Sequence, residues 1–372
     1  MSPSVADNTA DMVRLRRGKV VAVGETRRGV VDLTVEVEGE LSPALAYPEL
    51  TGPLDIGDTV LLNTTAVHLG LGTGGFHLVV SVDDGPPTEV EGEGRVMKAR
   101  YTPLQNVVRA VEETHRDLLE SSVGLMGMPV VAAPLHSMIA HIAAGAKVAG
   151  AGRVVYVMTD GAALPGTFSR LVPQLREAGL LDGFVTCGQA FGGETETVNI
   201  WSALIAAKEV LGAETVIVAD GPGNLGTGTK WGSSALNSGH VLNAAEVLGG
   251  RPVAALRISF ADIRARHRGV SHHSMRILAD VCTVESNVAV PVLEDAERHR
   301  IWQALRSAGL EGKHRLVEVP GQSAVDALSE RQVEVTSMGR GFEDDPAFFL
   351  SAGAAGILSG RIAVGNQRAA ST

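Results

Sequence analysis

Two stretches of this chain concentrate the residue types that chemistry needs. The first, residues 220–232, reads DGPGNLGTGTKWG. Glycines at 221, 223, 226 and 228 free the backbone to wrap an anion with its N–H groups, Lys230 adds a positive charge, and Thr227 and Thr229 add hydroxyls. Gly221, Gly223 and Gly226 match the dinucleotide-binding spacing. The nearest acidic residue after the following strand, Asp262, however, lies well beyond the roughly 20 residues that such a site uses. An ATP-type loop fails too, because Thr229 precedes Lys230 and Trp231 follows it. Residues 220–232 therefore read either as an anion-binding loop or as a flexible connection without a chemical role.

The second stretch, residues 264–274, reads RARHRGVSHHS and packs Arg264, Arg266, Arg268, His267, His272 and His273 into an acidic chain. Guanidinium forks suit carboxylate and phosphate oxygens, and imidazoles move protons near neutral pH. A metal site competes with this reading. If Ser271 caps a helix containing His272 and His273, those adjacent side chains diverge by about 100°. Neighbouring arginines would also repel a cation, so an anion-binding or acid/base role is preferred, with a solvated loop as the plain alternative.

Further candidates follow from where ligands sit in open parallel sheets, beyond the carboxyl ends of the strands. His136 precedes a helix, where the dipole would favour neutral imidazole, although a satisfied core histidine would look the same. Asp160 and the turn 337–340 end other strands, where turn geometry and capping are the plain explanation. Cys187, also at a strand end, reads as a small buried apolar residue.

These residues predict an enzyme acting on a small phosphorylated or carboxylated metabolite. His267 or His272 would be the acid or base, with Asp220 orienting the histidine or the substrate and His136 a further catalytic candidate. The ligand would lie among Asp160, Gly221, Gly223, Asn224, Gly226, Gly228, Thr229 and Lys230 on one side, and Arg266, Arg268, Ser271 and His273 on the other. Two alternatives stand beside it. One is a non-catalytic ligand-binding or sensing protein; the other is a metal-dependent hydrolase using His136, Asp160 or Asp220 with a histidine of the basic stretch. No cofactor and no metal is assigned. The two stretches follow consecutive strands, so they are expected to meet only if those strands are neighbours.

The elements that position these residues fall into two groups. Residues 13–95 show short alternating strands and turns, which predicts a small SH3-like or OB-like barrel or sandwich. The acidic, glycine-rich stretch 89–94 marks the expected boundary. Thr102 as cap, Pro103 next, and the apolar set Leu104, Val107, Val108, Val111 and Leu118 predict a helix. From there to about residue 360, apolar strands alternate with helices, which means an α/β domain with a mostly parallel, Rossmann-like sheet covered by helices on both faces. Strands are expected at 130–133, 154–158, 184–187, 216–219, 253–259, 289–293, 316–319 and 333–337. Gly179, Gly212 and Gly249 are placed to end helices in the left-handed conformation. The last helix is expected to begin with Asp345 and Pro346, and residues 1–12 and 361–372 to be flexible tails.

Bulk properties limit the function classes. At 372 residues the chain suits about two domains. A formal net charge of -10 argues against a protein that coats nucleic acid or an anionic membrane. The two cysteines, Cys187 and Cys282, are too few for a disulfide framework and suit a cytoplasmic setting. Residues 1–12 lack the basic and apolar regions of a secretory signal. Residues 127–146 carry no Asp, Glu, Lys or Arg, but their prolines and histidines suit a buried strand and helix better than a membrane span. A small anionic ligand is the expected partner, and homo-oligomerisation is open.

The strings PLHSM at 134–138, DGPGNLGTGTKW at 220–231 and RHRGVSHH at 266–273 resemble those of a bacterial family, frequent in actinobacteria and other Gram-positive lineages, that is catalogued as a domain of unknown function. The likeness spans nearly the whole chain. It implies no activity, cofactor or catalytic residue, so the functional reading rests on the residues themselves.

Overall fold

The computed structural model describes residues 13–71, 74–83 and 94–370. The tail expected at 1–12 and most of the acidic stretch at 89–94 lie outside the described residues. The chain divides into two compact units between Val108 and Arg109.

In the first unit, strands β1 (Leu15–Arg27), β2 (Val30–Val37), β3 (Glu40–Ala46), β4 (Thr59–Asn63) and β5 (His77–Val82) close a barrel in the order β1-β2-β3-β5-β4. Alternation makes it. In β2, Val31, Leu33, Val35 and Val37 point into the barrel core while Asp32, Thr34 and Glu36 do not. Register shifts at Val20/Ala22 and Val23/Thr26 let the long β1 bend far enough to pair with both β2 and β4.

The helix expected from Thr102 is absent. Strands β6 (Val96–Lys98) and β7 (Asn106–Val108) form an antiparallel hairpin instead, with Val107 opposite Met97 and Val108 opposite Val96. Ala99 and Tyr101 take φ of 46° and 60°, and the Thr102 hydroxyl donates to the Ala99 carbonyl at 2.8 Å. A chain that turns this tightly cannot start a helix, and β-branched Val107 and Val108 suit a pleated pair. Val111 and Leu118 fall in two short helices, Val111–Thr114 and Arg116–Glu120. The hairpin belongs to the first unit, so the division falls after it and not at residue 95.

The second unit is a doubly wound, Rossmann-like α/β fold. Its strands are β8 (Pro129–Ala132), β9 (Val154–Thr159), β10 (Gly183–Thr186), β11 (Thr195–Glu196), β12 (Thr215–Asp220) and β13 (Arg251–Ala255). A two-stranded antiparallel pair, β14 (Ile258–Ser259) and β15 (Gly269–Val270), precedes β16 (Asn287–Pro291) and β17 (Arg315–Val319). The eight-stranded sheet is parallel throughout, in the order β11-β10-β9-β12-β8-β13-β16-β17. Strands buried on both faces explain the unbroken valine runs. In β9, Tyr156 and Met158 pack on one face, with Ile139 and Phe349, whereas Val155 and Val157 pack on the other, with Leu204 and Leu242. The helices Ile139–Val148, Leu171–Glu177, Gln322–Glu330 and Pro346–Ala370 cover the first face, and Ile200–Glu209, Asn237–Val247 and Asp295–Ser307 the second. Gly179, Gly212 and Gly249 end helices at φ of 67°, 64° and 72°, as their positions imply.

Three expectations about elements are corrected. The run 253–259 is two strands, β13 and β14, broken at Leu256 and Arg257. Residues 333–337 form no strand; Val333 and Val335 pack as partly buried side chains, and only Ser337 bridges, to Arg340. Residues 361–370 are helical, since the helix that begins at Pro346 runs to Ala370. Among the described residues this is the one helix long and apolar enough to cross a membrane, but 78% of its most apolar stretch is buried inside the protein. It serves as a core helix. Its glycines let backbones touch: a β-carbon on Gly360 would stand 2.5 Å from the Ala146 carbonyl oxygen, and one on Gly145 would stand 2.6 Å from that of Gly353.

Candidate functional site

The glycine loop leaves β12 and the basic stretch follows β13, and β8 lies between those strands. Adjacency was expected to be necessary for the two to meet, yet they meet without it. The loop folds back on itself, with Thr227 N–H donating to the Gly232 carbonyl at 2.8 Å and Ser234 N–H to that of Leu225 at 3.0 Å. The resulting small hairpin reaches the basic stretch. A β-carbon on Gly228 would stand 3.2 Å from Arg266 Nη1, one on Gly226 would stand 3.5 Å from His273 Cε1, and Ser233 Oγ lies 3.4 Å from His273 Nδ1.

The hairpin is not the open cradle that its glycines imply. The Thr227 and Thr229 hydroxyls bond to each other at 2.9 Å, and Thr229 Oγ1 accepts from Gly232 N–H. Gly223 and Gly228 supply the positive φ values of 92° and 81° that the fold-back requires, while Gly221 is needed for space, 2.6 Å separating its would-be β-carbon from the Ala163 carbonyl. Lys230 lies over the Trp231 ring, 4.7 Å from its centroid, with its ammonium 3.9 Å from the Asp280 carboxylate.

Asp220, at the end of β12, anchors the start of this loop. Its Oδ1 accepts from Thr159 Oγ1 at 2.6 Å, from Gly161 N–H at 3.1 Å and from Asn237 Nδ2 at 3.2 Å, and its Oδ2 accepts from Asn224 Nδ2 at 3.2 Å. Burial raises its pKa against the lowering by those bonds. Among the described residues none of these bonds reaches a histidine, so of the two roles expected of Asp220, orienting a histidine or the substrate, the first is not seen. Asp160 accepts from Gln189 N–H at 2.8 Å and packs against the β-carbon position of Gly188.

The basic stretch forms a histidine cluster ringed by guanidiniums. The His267 ring lies 5.0 Å from that of His272 and 5.1 Å from that of His273, and the last two meet edge to face at 4.0 Å. Ser271 caps the helix His272–Arg276, accepting from His273 N–H, and its hydroxyl lies 2.8 Å from His267 Nδ1. Arg266 Nε donates to His267 Nε2 at 3.3 Å, which fixes the neutral tautomer with Nδ1–H donating to Ser271. Burial, followed by the charges of Arg257 and Arg264, pushes the pKa of His267 down to about 3; burial and then His272 push that of His273 down to about 4. Burial and Arg266 lower His272. All three are therefore neutral at pH 7. The Nε2 atoms of His272 and His273 are buried and have no hydrogen-bond partner among the described residues. Arg268 is exposed.

Beneath this cluster lies an ionic network that the sequence reading left out of the site. Buried Arg257 donates to Asp262 Oδ2 at 3.0 Å, and Arg264 adds bonds to both Asp262 oxygens at 3.0 and 2.8 Å. Those bonds, those of Arg264 first, hold the Asp262 carboxyl far below the usual range, while burial lowers Arg257 to about 10. Both guanidiniums also approach Met338 Sδ, at 3.5 and 3.4 Å. Met338 and Gly339 take φ of 53° and 76° in a turn that Ser337 and Arg340 close by donating to each other's carbonyls. An arginine within the apolar run Ala255-Leu256-Arg257-Ile258 was the available signal for this network, because a lone charge in a strand needs a partner. Met338 carried no signal beyond its turn.

His136 is not brought into the cluster. Its Nδ1 lies 3.1 Å from the Tyr156 hydroxyl, which itself donates to the carbonyls of Ala219 and Asp220, and its Nε2 lies 2.7 Å from Ser169 Oγ. With both nitrogens engaged, and with burial pushing its pKa down to about 4, it is a core histidine. Among the described residues, no group of three or more His, Cys, Asp or Glu side chains is arranged to hold a metal ion.

The model of a protein family described as a protein of unknown function, DUF3866, matches residues 43–356. That span begins within β3, so it leaves out β1 and β2 of the barrel, and takes in β4, β5 and nearly all of the α/β unit, including the loop and the basic stretch. The chain belongs to the DUF3866 family. No curated protein matches it. The cluster described above lies wholly within the part of the chain that defines DUF3866 membership.

Proposed function

We propose that this chain is an enzyme acting on a small phosphorylated or carboxylated metabolite at the carboxyl ends of β8, β12 and β13. The observation that carries this reading is the pair of buried Nε2 atoms on His272 and His273, without a hydrogen-bond partner among the described residues and set among Arg257, Arg264 and Arg266. A buried polar atom left unpaired costs about 1–3 kcal/mol, and a bound ligand's oxygen would remove that cost. A neutral imidazole can donate Nε2–H to a ligand oxygen or take a proton at that atom, and the guanidiniums balance the ligand's charge.

The residue roles assigned from sequence shift accordingly. His272 and His273 are the acid/base candidates, and His267 positions them through Ser271. Arg266 is the cation placed to reach the ligand across Gly228. Lys230 is held beside Asp280 and contributes less. A cytoplasmic setting fits the buried thiols of Cys187 and Cys282.

Calorimetric titration of the full chain with inorganic phosphate and acetate, repeated on Arg266→Ala and His273→Asn, tests the reading. Binding that both substitutions weaken supports it, and affinity unchanged in both variants removes it. Turnover separates an enzyme from a sensor: a bound metabolite recovered unaltered after long incubation with possible cosubstrates would favour the non-catalytic alternative.

A further inference from the structure

We infer that the ligand carries a planar aromatic ring beside its anionic group, and that Trp231 stacks on that ring. This deepens the anion-site reading and rests on it. The loops around the cationic cluster bear four large apolar side chains open to solvent: Leu225 (71% exposed), Trp231 (56%), Ile263 (92%) and Met338 (57%). Scattered exposed hydrophobics are ordinary on any protein surface. These four differ in standing on three loops that touch one another, through Gly228 and Arg266 on one side and Arg264 and Met338 on the other.

Local bonding fixes the chain at three of them. Ile263 lies between Asp262, whose N–H donates to Ser259 Oγ at 3.0 Å, and Arg264, whose N–H donates to Asp262 Oδ1 at 2.9 Å. Trp231 sits at the tip of the glycine hairpin, its carbonyl accepting from Ser233 N–H at 3.0 Å. Met338 is set by its closed turn and by the two guanidiniums on its sulfur. An apolar rim around a buried Arg257 and the more accessible Arg264 and Arg266 suits a ligand with a charged head and an apolar body. Lys230 covers one face of the indole, so the other remains for a ring, and a ring gains from stacking what an alkyl chain does not.

The test uses the full chain and calorimetry with two series: inorganic phosphate, phenyl phosphate and hexyl phosphate; acetate, benzoate and hexanoate. The expected result is that, in at least one series, the aryl member binds tenfold or more tightly than the parent anion and more tightly than the alkyl member. Trp231→Ala should abolish that gain and leave the parent anion within twofold, while Trp231→Phe should keep part of it. Equal affinity of aryl and parent, an alkyl member as tight as the aryl one, or a gain that survives Trp231→Ala overturns the inference alone. If neither parent anion binds, or if Arg266→Ala leaves both affinities unchanged, the anion site itself has failed and the inference falls with it.

Discussion

The Arg266 guanidinium lies against Gly228, its Nη1 3.2 Å from where a β-carbon on that glycine would stand, and this contact joins two loops that leave non-neighbouring strands. Gly228 also holds φ at 81°, which L side chains rarely adopt. Gly228→Ala is therefore expected to reshape the hairpin and displace Arg266 together. Because the loop is at the surface, thermal stability should fall by only about 1 kcal/mol. Phosphate or acetate affinity should fall several-fold in the same variant. A variant that melts like the wild type and binds anions equally well would show that the contact positions nothing.

Asp262 is the only anion within hydrogen-bonding distance of buried Arg257 among the described residues. Asp262→Ala should leave that guanidinium buried and uncompensated, at a cost of roughly 3–5 kcal/mol in urea unfolding. The double variant with Arg257→Met removes both charges and should recover most of the loss. No recovery would mean that the Asp262 carboxylate stabilises the protein through its bonds to Arg264 and not through the buried ion pair.

Acid should weaken the fold before any carboxylate network fails. His136 and His273 titrate near 4 in the folded chain, and His141 and His267 near 3, against about 6.5 when unfolded. Between those values the unfolded chain binds more protons, so stability is full above about pH 6.5 and declines as pH falls towards 4. For the fully buried His136 and His141 the shifts correspond to roughly 3 and 5 kcal/mol at their limits. Asp220, whose pKa is raised, works the other way and offsets part of the loss. Unfolding midpoints in urea from pH 7 to 4 would measure this, and a flat profile over that range would contradict the buried neutral histidines.

How legible the molecule was depends on whether local chemistry or distant contacts decide each part. The strands of the sheet could be read because a strand buried on both faces must be apolar along its length, and the helix ends because Gly179, Gly212 and Gly249 each supply a left-handed residue. The hairpin at 96–108 could not. Its apolar positions fit a helical period, and what overrides them is a turn with positive φ at Ala99 and Tyr101, residue types that give no warning of it. The site was half legible. Histidines and arginines close in sequence drew attention to residues 264–273, but the occupation of His136 by Tyr156 and Ser169, and of Lys230 by Asp280, depends on residues 20 to 50 positions away.

The C-terminal helix offers a comparison within one element. Gly356 and Gly365 both lie in the helix Pro346–Ala370, and alanine is the better helix former by about 1 kcal/mol, so propensity alone favours both replacements. The surroundings differ. A β-carbon on Gly356 would overlap the carbonyl oxygen of Ile142 in the facing helix, whereas one on Gly365 would meet nothing within 4 Å. Backbone cannot yield as a side-chain tip can, so Gly356→Ala must push two core helices apart and should cost roughly 2–4 kcal/mol. Gly365→Ala should be neutral or stabilising by up to about 1 kcal/mol. Chemical denaturation of the two variants side by side decides it: opposite signs mean the helix is locked into the core by backbone contact, and equal small effects would mean that its glycines are merely tolerated.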